Sequence, residues 1–177
     1  MEHAEQYEIR LPYVRLVTNV HGKEAPEEAL FQVVGPGSPR KWRVAVERLA
    51  YYFRREFGYD FPPYTADEAD FGSGLVKDRV LVFFKETFNR RMEGVLYFYG
   101  AIGVRWRVWA DAPASWSIAW VWFHPYERRK GHLTSAWPFL IRTYPDPWVE
   151  HPVSKPMAEF LKKVGHTRPL EKPPSPK

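Results

Sequence analysis

The residues best suited to chemistry lie between positions 116 and 144. An aromatic run, Trp116-Ser117-Ile118-Ala119-Trp120-Val121-Trp122-Phe123, breaks at His124-Pro125 and gives way to Tyr126-Glu127-Arg128-Arg129-Lys130-Gly131-His132-Leu133. The first run has strand character, and residues 134–142 have helix character. A strand that leaves through a basic, glycine-containing turn into a helix start is a place to hold phosphate. Backbone N–H groups there lack intrahelical acceptors, and the helix dipole favours negative charge. Arg128, Arg129 and Lys130 add positive charge, and Thr134 or Ser135 supplies a hydroxyl at the helix start. A solvated basic turn has the same composition, so the surrounding elements must decide between the two.

Those elements belong to a folded chain of 177 residues, long enough for one domain with a core that needs no metal or disulfide. Eight Trp, ten Tyr and twelve Phe argue for bulky core layers or a stacking surface and against disorder. Cysteine is absent, which excludes thiol nucleophiles, disulfide scaffolds and cysteine–zinc sites. The formal charge of +5 favours an acidic partner: a nucleotide cofactor, a nucleic acid or an acidic protein. Residues 1–6 are polar, and no apolar run approaches the roughly 20 residues that span a bilayer, so a cytoplasmic, soluble protein with no membrane partner is expected.

Residues 7–11 alternate as a strand, and 13–20 read as more extended chain; 25–34 fit either a short helix or a strand. Gly35-Pro36-Gly37 is a turn. Ser38 then suits an N-cap, Pro39 the first helical position and Gly58 the C-terminal cap. Between them Trp42, Ala45, Val46, Leu49, Phe53 and Phe57 recur at helical spacing. Arg40, Lys41, Arg43, Arg48, Arg54 and Arg55 are expected on the remaining surface. Such a basic face could meet nucleic acid, although solvated charge opposite a core stripe is the ordinary arrangement.

Residues 60–74 form a proline- and glycine-rich loop carrying four acidic residues. Strands are expected at 79–85, 94–109 and 116–123, joined by turns at 89–92 and 110–115, as an antiparallel meander. A helix over 134–142 ends at Tyr144-Pro145-Asp146-Pro147. A short strand at 148–153 precedes a helix capped by Ser154, which runs to Lys163 and stops at Gly165. The composition predicts a disordered tail over 167–177. The order is that of an α+β domain.

The run Phe123-His124-Pro125-Tyr126-Glu127-Arg128-Arg129-Lys130-Gly131 resembles the acyl-CoA motif of the GNAT acyltransferase superfamily, in which an apolar residue, any residue and Pro precede two residues and Arg/Gln-x-x-Gly-x-Gly/Ala. Phe123, Pro125, Arg128 and Gly131 fall on that pattern, and Leu133 stands where Gly or Ala is usual. The helix, short strand and helix that follow, with the ending Lys162-Lys163-Val164-Gly165-His166, look like the family's last core elements. Leu161 occupies the place of the helical Tyr that often serves as general acid. The aromatic strand leading into Arg128-Arg129-Lys130, and the His151-Pro152 strand end, are weakly similar to the acetyltransferase domain that establishes sister-chromatid cohesion, without its zinc finger.

The resemblance covers residues 79–166 and implies a GNAT-like, mostly antiparallel central sheet flanked by helices over residues 1–166. It implies an acyl-CoA-dependent N-acetyltransferase moving acetyl from acetyl-CoA to an amine of a small molecule or protein. Trp122, Phe123, His124, Arg128, Arg129, Lys130, Gly131, His132, Leu133 and Thr134 would bind the cofactor: the turn would take the diphosphate, and the strand end would pair with the pantetheine arm. Glu150, His151 and His124 are the base candidates for the amine proton. Ser154 could relay a proton, although capping its helix is the better use of it.

The main alternative is a non-catalytic nucleic-acid-binding domain. In it, Arg105-Trp106-Arg107-Val108-Trp109 and the 116–123 run would form a basic stacking platform. Core and cross-strand packing of the same rings competes with that reading. His124, His132 and His151 match no compact metal-ligand motif, so no metal is expected. Gly72-Ser73-Gly74 lies in a loop and is no nucleophile elbow.

Overall fold

The computed structural model describes residues 9–15, 31–66, 78–88, 94–110 and 112–166. The expected turn at 89–92, most of the early strands, the loop beyond 66 and the tail at 167–177 lie outside these residues. The described chain is α+β: a six-stranded, mixed and mostly antiparallel open sheet flanked by three helices.

The strands are β1 (Tyr13–Arg15), β2 (Phe31–Val34), β3 (Asp78–Phe88), β4 (Gly94–Arg107), β5 (Ser115–Phe123) and β6 (Trp148–Val149). Their spatial order is β2-β3-β4-β5-β6, with β1 also pairing with β4. β3, β4 and β5 form the expected meander. The helices are α1 (Arg40–Phe57), α2 (His132–Thr143) and α3 (Lys155–Lys163), and α2 carries the crossover that brings β6 in parallel to β5. The ambiguous segment before Gly35 ends as β2.

The sheet separates two cores. On one face Ala45, Val46, Leu49 and Ala50 of α1 meet Val80, Val82, Phe98, Ala101, Trp120 and Trp122. On the other, Ala136, Trp137 and Leu140 of α2 and Leu161 of α3 meet Leu81, Phe83, Ile102, Val104 and Ile118. The period-two alternation that sorts strand residues to these faces is interrupted twice. Phe83 pairs with Gly100 and Phe84 with Phe98, leaving Tyr99 as an extra residue in β4. Gly103 pairs with Trp120 and Val104 with Ile118, leaving Ala119 extra in β5.

The helix ends show why local signals were partly right. Gly58 closes α1 in the left-handed conformation, with its N–H bonded to the Arg54 carbonyl. At the other end the expected N-cap is displaced: Pro39 precedes Arg40 without a side-chain cap, and the Ser38 hydroxyl instead accepts a 3.0 Å bond from the Gly35 N–H. Arg43 is also not a surface residue. It is only 2% exposed, with Nε on the Ser38 carbonyl and an Nη on the Ala66 carbonyl. Ser154 caps α3 by accepting from Met157 N–H, and Gly165 ends it. The expected strand at 148–153 is only two residues long.

Candidate functional site

β5 delivers the chain to the basic turn. His124 donates its N–H to the Tyr99 carbonyl as the last rung toward β4, and Pro125–Glu127 form a single 3-10 turn. Arg129 then takes a left-handed conformation (φ 60°), and Gly131 does so again at φ 83°. Gly131 lets the chain reverse directly into α2, whose first helical bond runs from Ser135 N–H to the Gly131 carbonyl. The N–H groups of His132, Leu133 and Thr134 therefore have no intrahelical acceptor. No side chain caps this end. Leu133, two residues beyond Gly131, packs its side chain against the α2–α3 core.

The three basic residues of the turn have different employments. Arg128 reaches back along β5, donating to the Phe123 carbonyl at 2.9 Å and pairing with Glu56 at the end of α1. Lys130 pairs with Glu127 at 3.2 Å. Arg129 is exposed and makes no ion pair among the described residues.

Glu127 organises the underside of the turn. It bonds Lys85 of β3 through Oε1, and Lys130 and His132 through Oε2. His132 lies 3.5 Å from the Tyr99 hydroxyl through Nδ1 and stacks on Phe123. Burial pushes the Glu127 pKa up, but the bonds from Lys85, His132 and Lys130 outweigh it and hold the carboxyl at about 2. Glu127, Lys85 and Tyr99 were not legible as site residues; the spacing of Glu127 and Lys130 was the only signal.

The second part of the site is a parting of strands. β6 pairs with β5 only at Ser117–Trp148 and Ile118–Val149, with one more bond from Glu150 N–H to the Ile118 carbonyl. Among the described residues, no strand covers that edge of β5 from Ala119 onward. The His124 N–H points to β4, so alternation turns the backbone groups of Trp122 and Trp120 to β4 and those of Val121 and Phe123 to the open side. The Phe123 carbonyl is taken by Arg128, which leaves the Val121 N–H and C=O at the open edge.

A cleft of about 190 Å³ occupies this parting, between β5, Val149 to Ser154, the start of α3 and the aromatic end of α1. Glu150 and His151 line it, whereas His124 does not. Glu150 is committed elsewhere: Arg107 grips it at 2.9 and 2.8 Å and Ser117 donates at 2.7 Å. Burial raises its pKa, but Arg107, Ser117 and Arg105 outweigh that and leave the carboxyl below its usual value. His124 accepts from Tyr126 N–H at 3.3 Å, and partial burial is the main reason its pKa falls. The structure thus brings the turn residues together at one end of β5 and Glu150 with His151 at the other end of the open edge.

The rings and cations of the alternative stacking platform have partners within the fold. Trp109, Trp120 and Trp122 are buried, Trp106 and Trp116 pack edge to face, and Arg105 is held by Asp78 as Arg107 is by Glu150. Among the described residues no three His, Asp or Glu are grouped to hold a metal, and no helix is long and apolar enough to cross a membrane. No protein-family model and no curated protein matches this chain.

Proposed function

We propose that this protein is a GNAT-like acyl-CoA-dependent N-acyltransferase that moves an acetyl group from acetyl-CoA to an amine. The observation that carries the reading is the edge of β5 that no described strand covers, running from a cleft at Val121 to an anion-suited turn at 129–134. An amide-bearing arm can add to such an edge as a strand would, through the backbone groups of Val121. A diphosphate at its far end would meet the N–H groups of His132, Leu133 and Thr134 and the Arg129 guanidinium. The Leu133 side chain is committed to the core, so the departure from Gly or Ala at this position is compatible with that use.

In the reaction the amine nitrogen attacks the thioester carbonyl, the C–N bond forms, and the C–S bond breaks as the thiolate takes a proton. In this reading a backbone N–H at the open edge would bond the oxygen as negative charge develops. The amine must lose a proton. His151 lines the cleft and carries an imidazole, the side chain most often used for such transfer. Glu150 is a poorer base because Arg107 and Ser117 already stabilise its charged form. With Leu161 buried in the core, Tyr59 and Ser154 are the hydroxyls that line the cleft for the departing thiolate.

Isothermal titration with acetyl-CoA tests the reading. Saturable one-to-one binding that Gly131→Glu abolishes supports it, and thiol release on adding amines then measures turnover. No binding at millimolar acetyl-CoA overturns it.

A further inference from the structure

We infer that the cleft selects, as acyl acceptor, a primary amine carried on a flat or branched apolar body; this rests on the acyltransfer reading and names its substrate class. The two substrates must approach the open edge of β5 from different sides. The turn at 129–134 leads into α2, which packs on one face of the sheet. The other side of the cleft is formed by Phe53, Phe57, Tyr59, Phe61 and Trp120, from or beside α1 on the opposite face. That side is left for the acceptor.

Its chemistry is aromatic. Phe53 lies at the centre, stacked on Tyr59 at 5.3 Å and 10°, with Phe57 at 4.9 Å and Trp120 at 5.9 Å. The ring of Trp120 lies over Gly103, where a side-chain carbon would come within 2.0 Å of its Nε1. At the mouth, Phe61 is 81% and Phe57 46% exposed. Large apolar side chains left in water beside a cleft mark a surface that a ligand covers. Aromatic faces accept both an apolar body and a cationic ammonium group. Glu150, the carboxylate in the cleft, is neutralised by Arg107, so the wall offers little to a second or third positive charge. A polyamine is therefore a poor occupant.

The experiment compares kcat/KM for 2-phenylethylamine, isoamylamine and spermidine with acetyl-CoA as donor, in the whole chain and in Phe61→Ala and Phe57→Ser. The two apolar amines are expected to exceed spermidine by about tenfold or more. Each substitution should raise their KM about fivefold, with kcat and acetyl-CoA affinity little changed. Preference for spermidine overturns the inference. So does a change in acetyl-CoA affinity, or a preference for hexanoyl-CoA over acetyl-CoA that Phe61→Ala removes, because the wall then serves the donor. Quenching of tryptophan fluorescence by 2-phenylethylamine alone, lost in Trp120→Phe, gives a separate readout. Quenching without any acetyl-CoA binding would sink the acyltransfer reading and keep the amine site; acetyl-CoA binding without quenching or amine preference would sink the amine site alone.

Discussion

Arg107 and Glu150 close a two-point clasp across the sheet, with Nε and an Nη of the guanidinium 2.9 and 2.8 Å from the two carboxylate oxygens. Arg107 lies at the end of β4 and Glu150 just past β6, so the clasp spans β5 and fixes where β6 leaves the sheet. Ser117, fully buried on β5, donates to the same carboxylate. The residue that by position looked like a base is thereby a fastening for the cleft.

Removing either end leaves the other charge partly buried. Arg107→Ala and Glu150→Ala should each cost roughly 2 kcal/mol. A double-mutant cycle by urea unfolding should return a coupling of about 1 kcal/mol or more. Additive losses would mean that the clasp contributes nothing of its own.

The carboxyl of Glu127 gives stability on the acid side. Its folded pKa of about 2 lies below its ordinary 4.5, so the contribution is complete above pH 4.5 and is lost as pH falls toward 2. Thermal melts between pH 7 and pH 3 should show Glu127→Gln less stable than the native chain at neutral pH. The gap should shrink below about pH 4.5. A constant gap across that range would contradict the assignment.

At Gly131 strain and charge can be separated. A Cβ there meets nothing within 4 Å, so the left-handed φ of 83° is the whole obstacle. Gly131→Ala should cost about 1 kcal/mol and weaken acetyl-CoA only slightly. Gly131→Glu should show a similar melting loss but reduce affinity by more than about tenfold, read by titration. Equal affinities in the two variants would remove the turn as an anion site.

Gly103 is constrained differently, because a Cβ would overlap the Trp120 ring. Gly103→Ala should destabilise by about 1–3 kcal/mol and displace that ring from the cleft. The displacement should appear as a change in near-ultraviolet circular dichroism that Gly37→Ala, open on all sides, does not produce.

Much of the sheet was legible in local pattern. Alternation and turn chemistry located β3, β4 and β5, and helical spacing with Gly58 located α1. What local pattern does not carry is which distant residues meet. Arg43 reads as one more charge on a basic helix; only the chain at Ser38 and Ala66 folding over it gives its guanidinium acceptors. Glu127 acquires its partners from β3 and α2, more than forty residues apart in sequence for Lys85. Glu150 read from sequence as a base candidate at the end of a short strand, but its engagement with Arg107 depends on pairing across three strands. The edge of β5 that no described strand covers was likewise hidden, since strand length at 148–153 was overread.

The extra residue in β5 has a consequence for how this chain tolerates length changes. Ala119 and Trp120 both turn toward α1, so Ile118 before the bulge and Val121 after it keep the face that regular pairing with β4 gives them. Deleting Ala119 would restore unbroken pairing without exchanging faces: Trp120 and Trp122 would still point at α1, and Ile118, Val121 and Phe123 at α2. Deleting a regularly paired residue such as Val121 would instead turn the later side chains over, Trp122 to α2 and Phe123 to α1. One alanine with no polar group is thus the place where the aromatic strand can be shortened with both of its sides kept.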